Sequence, residues 1–291
     1  MVSLIVATVN RVTELERLLT SLDAQSYKDF EVLVVDQNPD DRLLAVFQTY
    51  RQLRIRRLRS GLGLSRGRNV GLREANGQIV AFPDDDCWYP STLLESVTRW
   101  FADHPECDGL FTSMRTADNV PMTPRWPPPA GMCTRENVLD CTVSFTAFLR
   151  RRLVDAVGEF NERLGLGADS PYQACEDNDY FIRPLTLGFR MWYEPELVVH
   201  HPKSKPPDVL SRRAYPFALA HGYVLGRHGY SRSYWLKRIA RSCGGAMLAL
   251  CRADVATTRL YCVRAAGQFR GYLSGLKERR YLDEQSRSSK S

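Results

Sequence analysis

Three consecutive carboxylates, Asp84, Asp85 and Asp86, follow the apolar run Ile79-Val80-Ala81-Phe82 after one proline. Adjacent carboxylates repel one another unless a cation neutralises them or water screens them. At the mouth of a buried sheet the alternate pair, Asp84 and Asp86, can point the same way and hold Mg²⁺ or Mn²⁺ with phosphate oxygens and water. A solvated acidic turn is the competing reading. A second acidic group, Glu176-Asp177-Asn178-Asp179, opens a helix. The helix macrodipole favours anions there, and a carboxylate at that place can also act as general base on an incoming hydroxyl. His200 and His201 close a strand just before Pro202 and offer an imidazole metal ligand. Side chains alternate along a strand, so only one of the two faces a given site. The glycines of Gly61, Gly63 and Gly67 run G-x-G-x-x-x-G, which is not a dinucleotide fingerprint, and no P-loop occurs in the chain. Arg66 and Arg68, at the start of the next helix, can still pair with a diphosphate.

The elements that carry these groups alternate. Residues 3–9 form an apolar run ending at Asn10, and residues 30–35 form a second closed by Asp36. Between them Thr13 and Glu16 have capping-box spacing, and Leu15, Leu18, Leu19 and Leu22 mark one helical face. A helix over 41–50, a strand over 54–58, a helix over 65–76 stopped by Gly77 and a strand over 78–83 follow. The period thus switches β-α-β-α-β-α-β, which predicts a parallel sheet covered by helices. Such sheets bind ligands beyond the carboxyl ends of their strands. Those ends carry Thr8 and Asn10, then Asp36, then Asp84 to Asp86. Residues 115–135 are proline-rich (Pro121, Pro124, Pro127, Pro128 and Pro129) and read as a surface loop. A second block, residues 143–202, predicts a helix near 150–157, a glycine loop at 165–167, a helix near 177–187 and a strand over 190–200.

In order, SLIVATVNR, VLVVDQNPDD, GLSRGRNVGL before IVAFPDDDCWYP, CEDNDYFIRPLTLGF and YEPELVVHHP resemble an inverting family 2 glycosyltransferase over residues 1–202. The resemblance implies an α/β chain with the GT-A fold, a Rossmann-like mixed sheet, and a helical C-terminal extension. It divides the chain into a catalytic domain, 1–202, and a basic extension, 203–291. Within the first, 1–115 would bind the nucleotide-sugar and 136–202 would carry the acceptor side and the base. By position, Thr8, Asn10 and Asp36 resemble the nucleoside-holding residues, and Arg68 the basic residue near the nucleotide, with Arg66 and Asp85 beside the donor. Asp84 and Asp86 match the outer residues of the DxD motif, Asp86 as the direct metal ligand. Asp177 falls on the catalytic base. His201, ahead of His200, resembles the metal-binding histidine. Trp88, Glu176, Asp179 and the 165–170 loop would border the acceptor. Two departures stand out: Gln37 replaces the second Asp of the usual second-strand ending, and Gln173-Ala174-Cys175 precedes the E-D pair without the usual Trp. The reaction implied is a single displacement from a nucleotide-diphospho-sugar to a hydroxyl of a glycan or lipid-linked acceptor, in cell-surface polysaccharide assembly. The alternatives are a sugar-1-phosphate nucleotidylyltransferase, or a nucleic-acid-binding protein using the basic tail. Against the first, ATVNRVTELE replaces the glycine-rich loop expected after the first strand; against the second, the tail has no recognisable module.

The charge is consistent with two physical objects. The 291 residues carry a formal +7, but residues 203–291 hold 18 Lys+Arg and 5 Asp+Glu while residues 1–202 hold 22 and 28. A basic tail on an acidic body points to an anionic partner. In residues 234–251, Trp235, Ile239, Cys243, Ala246 and Leu250 fall at helical spacing with Lys237, Arg238 and Arg241 off that stripe. This pattern predicts either packing on a neighbour or docking on an anionic membrane. Eight cysteines without a C-x-x-C pair suggest neither zinc nor a disulfide framework. The opening MVSLIVATVN reads as a buried strand rather than a signal peptide. The longest uncharged tail stretch, 242–251, is about half of the ~20 residues a membrane span needs. The expected location is cytoplasmic, peripheral on the inner face of the membrane.

Overall fold

The structure, a computed structural model, describes residues 1–122, 129–202 and 207–288. The chain divides into two units, Met1–Asn161 with Tyr180–Lys203, and Glu162–Asp179 with Ser204–Ser291. The sheet lies wholly in the first.

In that unit β1 (Val2–Thr8) and β2 (Phe30–Asp36) are buried almost end to end, as continuous apolar runs covered on both faces must be. β3 (Ile55–Arg59) flanks β2, and β4 (Ile79–Ala81) flanks β1. All four are parallel, and their register sets Thr8 opposite Asp36 and Asp36 opposite Arg59. β5 (Gly109–Arg115), β6 (Gly131–Met132), β7 (Ala147–Arg150) and β8 (Met191–His200) complete the order β3-β2-β1-β4-β7-β5-β8-β6. β7 runs antiparallel between β4 and β5, and β6 runs antiparallel to β8. The sheet is therefore mixed, where the alternation of the first half by itself predicts a parallel one. The reversed strand comes from residues beyond the point where that alternation stops.

Helix α1 (Thr13–Asp23) buries Leu15, Leu18, Leu19 and Leu22, the face its spacing predicts. The expected capping box does not form. Thr13 is the first helical residue, and Val12 holds the cap position without a side-chain bond. Next come α2 (Leu44–Thr49), shorter than predicted, and α3 (Leu64–Glu74). α3 lies tightly on β1 because Gly71 faces Ile5: a Cβ there would fall 2.2 Å from Ile5 Cγ2. Then α4 (Leu93–Asp103) buries Leu93, Leu94, Val97 and Phe101. It and β5 occupy a stretch for which the sequence reading predicts no element. α5 (Val138–Cys141), α6 (Arg151–Val157) and α7 (Glu176–Thr186) follow, the last beginning in the second unit and ending in the first. The proline-rich stretch carries more order than a plain loop, since Arg115 bridges Pro121 and β6 pairs with β8. Pro124, Pro127 and Pro128 lie outside the described residues.

β8 holds a bulge that directs its end. Thr112 pairs with Glu194, but the next residue, Ser113, pairs with Val198. Ser113 Oγ donates to the carbonyls of Pro195 (2.8 Å) and Leu197 (3.2 Å) inside the bulge. Proline cannot donate to a ladder, and bulges re-aim the residues that follow them.

The second unit contains α8 (Pro207–Arg227), α9 (Arg232–Cys251) and α10 (Val255–Ser288). α8 and α10 run parallel at very short range through small residues. A Cβ on Gly222 would stand 2.2 Å from the Gln268 carbonyl oxygen, and one on Gly271 would stand 2.0 Å from that of Leu219. Glycines spaced by four on both helices permit this approach. α9 packs on α10, with Trp235 stacked on Tyr272 at 4.6 Å and 10°. The expected apolar stripe of α9 splits: Trp235, Ile239 and Ala246 are partly covered, whereas Cys243 and Leu250 are exposed. The covered face is instead completed by Ser242 and Ala249. Because backbone atoms block the space a Cβ needs, Gly271→Ala should lower stability by about 1–3 kcal/mol. Chemical denaturation of the full chain, followed by Trp235 fluorescence or far-UV circular dichroism, measures this.

Candidate active site

The chain leaving β4 turns through Pro83 into the three carboxylates, and an isolated antiparallel bridge brings the end of β8 beside them. Trp88 N donates to His200 O and His200 N to Trp88 O, both at 3.0 Å. One ligand atom each from Asp84, Asp86 and His201 lies within 4.8 Å of the others. The His201 ring stacks on Phe145 at 4.8 Å, its Nδ1 lies 2.9 Å from the Pro202 carbonyl, and its Nε2 lies 3.1 Å from Asp86 Oδ1. A carbonyl oxygen can only accept, so Nδ1 carries the proton and Nε2 of the neutral ring turns a lone pair toward a carboxylate. Two acceptors at that distance need a proton or a cation between them. The donor set of two carboxylates and an imidazole suits Mg²⁺ or Mn²⁺. His200 points elsewhere: its ring stacks on Trp88 at 5.5 Å and its Nδ1 meets the Thr116 carbonyl at 3.1 Å.

The side chains around this cluster divide the three carboxylates. Asp85 turns away from His201, accepting from Thr8 Oγ1 and Arg11 NH1, both at 2.7 Å. Arg11 NH1 also approaches Asp86 Oδ2 at 2.5 Å. Arg68, almost fully buried, donates to Asp84 Oδ1 (3.1 Å) and Ser144 Oγ (2.7 Å). Burial pushes the Asp84 carboxyl upward against the pull of Arg68. Burial also pushes Asp85 up, to about 6, with Arg11 and Thr8 opposing. At Asp86 burial is outweighed by the hydrogen bond and charge of His201 when a proton occupies Nε2, and by Arg11, which together hold it well below the usual carboxylate range. At His201 the bond to Asp86 likewise outweighs burial and raises the imidazole.

The neighbouring strand ends are engaged within the protein. Asp36, fully buried, accepts from Arg57 Nε (2.9 Å) and NH2 (2.7 Å) and from Asn38 Nδ2 (2.7 Å), and pairs with Arg59 at 3.3 Å. Asn10, in the left-handed region at φ 57°, donates its N–H to Asn38 Oδ1 and accepts from Arg42. The Gln37 amide donates to the carbonyls of Gly61 and Gly63, tying the glycine loop to the end of β2. Arg66 stands exposed on the first turn of α3. Arg17 sits over the Trp88 indole at 4.4 Å and donates to the Asp86 carbonyl at 2.6 Å. Sequence reasoning missed Arg11, Arg17, Ser144 and Phe145. Arg11 lies next to a residue already singled out, but no local pattern marks the others.

The first turn of α7 carries Glu176, Asp177 and Asp179 and belongs to the second unit. Asp177 is half-buried, and its Oδ1 accepts from the N–H of Asn178 at 2.7 Å. Asp179 is buried and held by His228 Nε2 at 2.8 Å, with Arg227 Nε at 3.8 Å. Arg227 continues to Glu278 (3.0 Å), which Arg163 also binds (2.9 Å). The 165–170 loop before it uses Gly165 and Gly167 at positive φ, and the N–H of Gly167 donates to Gln173 Oε1.

Residues 3–158 match the glycosyl transferase family 2 profile. The chain belongs to that family. It is 32% identical over 119 residues to the poly(ribitol-phosphate) beta-N-acetylglucosaminyltransferase TarS of Staphylococcus aureus, covering 39% of this chain and 21% of TarS. It is 36% identical over 110 residues to the GalNAc(5)-diNAcBac-PP-undecaprenol beta-1,3-glucosyltransferase of Campylobacter jejuni, covering 34% and 35%. The chain covers 38% of the length of an uncharacterized glycosyltransferase of Haemophilus influenzae and 21% of that of TarS. Among solved structures, residues 1–349 of TarS with UDP-GlcNAc superpose at a TM-score of 0.58 and 20% identity, over 96% of this chain and 91% of that one. The mannosyltransferase PcManGT of Pyrobaculum calidifontis, with GDP-Man and Mn²⁺, gives 0.60 at 20% identity, over 93% and 86%. These likenesses establish a GT-A fold with a helical C-terminal region.

The two histidines of this family 2 chain make separable expectations. His201→Ala should weaken Mn²⁺ binding by at least about tenfold, the scale on which even outer-sphere partners act, and His200→Ala should do much less. Calorimetric Mn²⁺ titration of the two variants measures the difference.

Proposed function

We propose that this chain transfers a sugar from a nucleotide-diphospho-sugar to an acceptor hydroxyl with inversion at the anomeric carbon, and that the reaction requires Mg²⁺ or Mn²⁺. The observation that carries the reading is the convergence of Asp84, Asp86 and His201, with His201 Nε2 and Asp86 Oδ1 facing each other at 3.1 Å. These three would hold the cation. When bound, it supplies Lewis-acid neutralisation of the charge developing on the departing nucleoside diphosphate.

The chain's own groups have distinct tasks. Arg68, itself bonded to Ser144, holds Asp84, while Arg11 holds Asp85 and Asp86, so the carboxylates keep one arrangement before the donor arrives. Arg66, on the open side of α3, is the guanidinium proposed to meet the diphosphate. Thr8, Asn10 and Asp36 remain the proposed nucleoside edge, with Asp36 acting through the Asn38 and Arg57 side chains it orients. Asp177 is the proposed general base. It takes the acceptor hydroxyl proton as that oxygen bonds to the anomeric carbon and the bond to the diphosphate breaks.

The acceptor proposed is a cell-surface polysaccharide or lipid-linked glycan, supported by the polymer and undecaprenol named for two relatives. Neither the family match nor the structural neighbours support the nucleotidylyltransferase or nucleic-acid alternatives.

Incubation with UDP-, GDP- and dTDP-sugars, with release of nucleoside diphosphate as the readout, tests donor use. Asp177→Asn should lower turnover by at least about a hundredfold, the usual scale of general-base loss, while donor binding by calorimetry changes little. Full turnover by that variant removes Asp177 from the base role. Chelation by EDTA should abolish turnover and added Mn²⁺ or Mg²⁺ should restore it; EDTA-insensitive transfer overturns the cation requirement.

A further inference from the structure

The surface of α9 that turns away from α10 is unusual for its composition. Leu236 is 52% exposed, Met247 69%, Leu248 55% and Leu250 66%, and Val255, just past the turn into α10, is 76% exposed. Ala240 and Cys243 lie exposed among them. Leu236, Ala240, Cys243, Met247 and Leu250 follow one another at spacings of four and three, which sets them along one side of the helix. That side is turned about 120° around the helix, at 3.6 residues per turn, from the one on which Trp235, Ser242 and Ala249 are covered. Leu248 stands apart from that row, flanking it with Lys237 and Arg241. Arg252 sits at the turn and Arg259 one turn into α10. From Arg232 to Cys251 there are four Lys+Arg and no Asp or Glu.

An apolar row this exposed needs an environment other than water. Its flanks choose between occupants: along α9 they are acid-free and basic, and at the turn the carboxylate of Asp254 caps α10 by accepting from the N–H of Thr257, so they repel a like surface and attract an anionic one. We propose that the outward face of α9 and the α9–α10 turn dock in the interface of an anionic lipid bilayer. Met247, Leu248, Leu250 and Val255 enter the acyl boundary, while Lys237, Arg241 and Arg252 meet lipid phosphates. The helix lies in the interface and does not cross it; no helix among the described residues is long and apolar enough to span a membrane. Lipid charge recruits the basic residues and apolar burial then holds the face, so binding should require both. The docking proposal names a partner for the enzyme of the preceding reading, but its assay needs no turnover, so either can fail alone.

The test is co-sedimentation of the full chain with vesicles of phosphatidylcholine alone or mixed with phosphatidylglycerol, at low and high salt. The wild-type chain should pellet with the mixed vesicles at low salt, and much less with phosphatidylcholine. The double variant Met247→Glu/Leu250→Glu should weaken binding by at least about tenfold, and Lys237→Glu/Arg241→Glu should do the same at low salt. Far-UV circular dichroism and donor hydrolysis should stay at wild-type levels in both. Failure of the wild-type chain to pellet with phosphatidylglycerol vesicles overturns the proposal. So does undiminished pelleting of the Met247/Leu250 variant. A third overturning result is a wild-type dimer in light scattering that the same variant makes monomeric while vesicles bind neither form, since a second copy would then be the occupant.

Discussion

Three adjacent carboxylates at the end of a buried strand cannot stand without compensation, and much of the first unit is arranged around them. Removing charge from water costs several kcal/mol per ion unless partners return it. Asp85 is answered by Thr8 and Arg11, Asp84 by Arg68, and Asp86 by Arg11 and His201. The partners come from three separate parts of the chain: the end of β1 with the turn after it, the first turns of α3 and the end of β8. The sheet order, with β1 beside β4 and the β8 terminus bridged to Trp88, is what makes these partners neighbours. Glycines at the contact between α3 and β1 let that helix settle close enough for a buried arginine to reach Asp84.

The second unit satisfies its own buried charge by a different route. Asp179 lies in the acidic first turn of α7, and its carboxylate is taken up by His228 and Arg227 at the end of α8. Arg227 passes the pairing to Glu278 on α10, and Arg163 closes the chain of contacts. The basic C-terminal helices are thus part of what holds the E-D-N-D turn, and not only an appendage. Their charge has two uses: a few residues are spent inward on this network, while Arg232, Lys237 and Arg241 of α9 are exposed.

Much of the architecture is legible because strand and helix leave periodic traces. The runs over β1 and β2, the leucine face of α1 and the strand before the triple Asp are local facts of side-chain order. Failures occur where a local signal competes with a tertiary one. Thr13 and Glu16 have capping-box spacing, yet the chain enters α1 one residue early and the box is lost. The stripe on α9 has a helical period, but two apolar sides of one helix share it. The α8–α10 contact uses glycines, which add nothing to a hydrophobic pattern, so a search for apolar faces passes over them.

The sequence by itself determined that acidic groups lie at strand and helix ends, and that one histidine of the pair differs from the other. These follow from the two-residue repeat of a strand and the 3.6-residue repeat of a helix, both written in the order of side chains. The family resemblance ranked His201 first, but only the tertiary structure turned that ring toward Asp86. A bulge at Pro195 to Leu197 resets the β8 register, and stacking on Phe145 and the carbonyl of Pro202 orient the His201 ring. Phe145, Arg11 and Ser144 entered the site in the same way. Their roles depend on which strands lie side by side, and that is set by burial over the whole sheet, which no short stretch of sequence records.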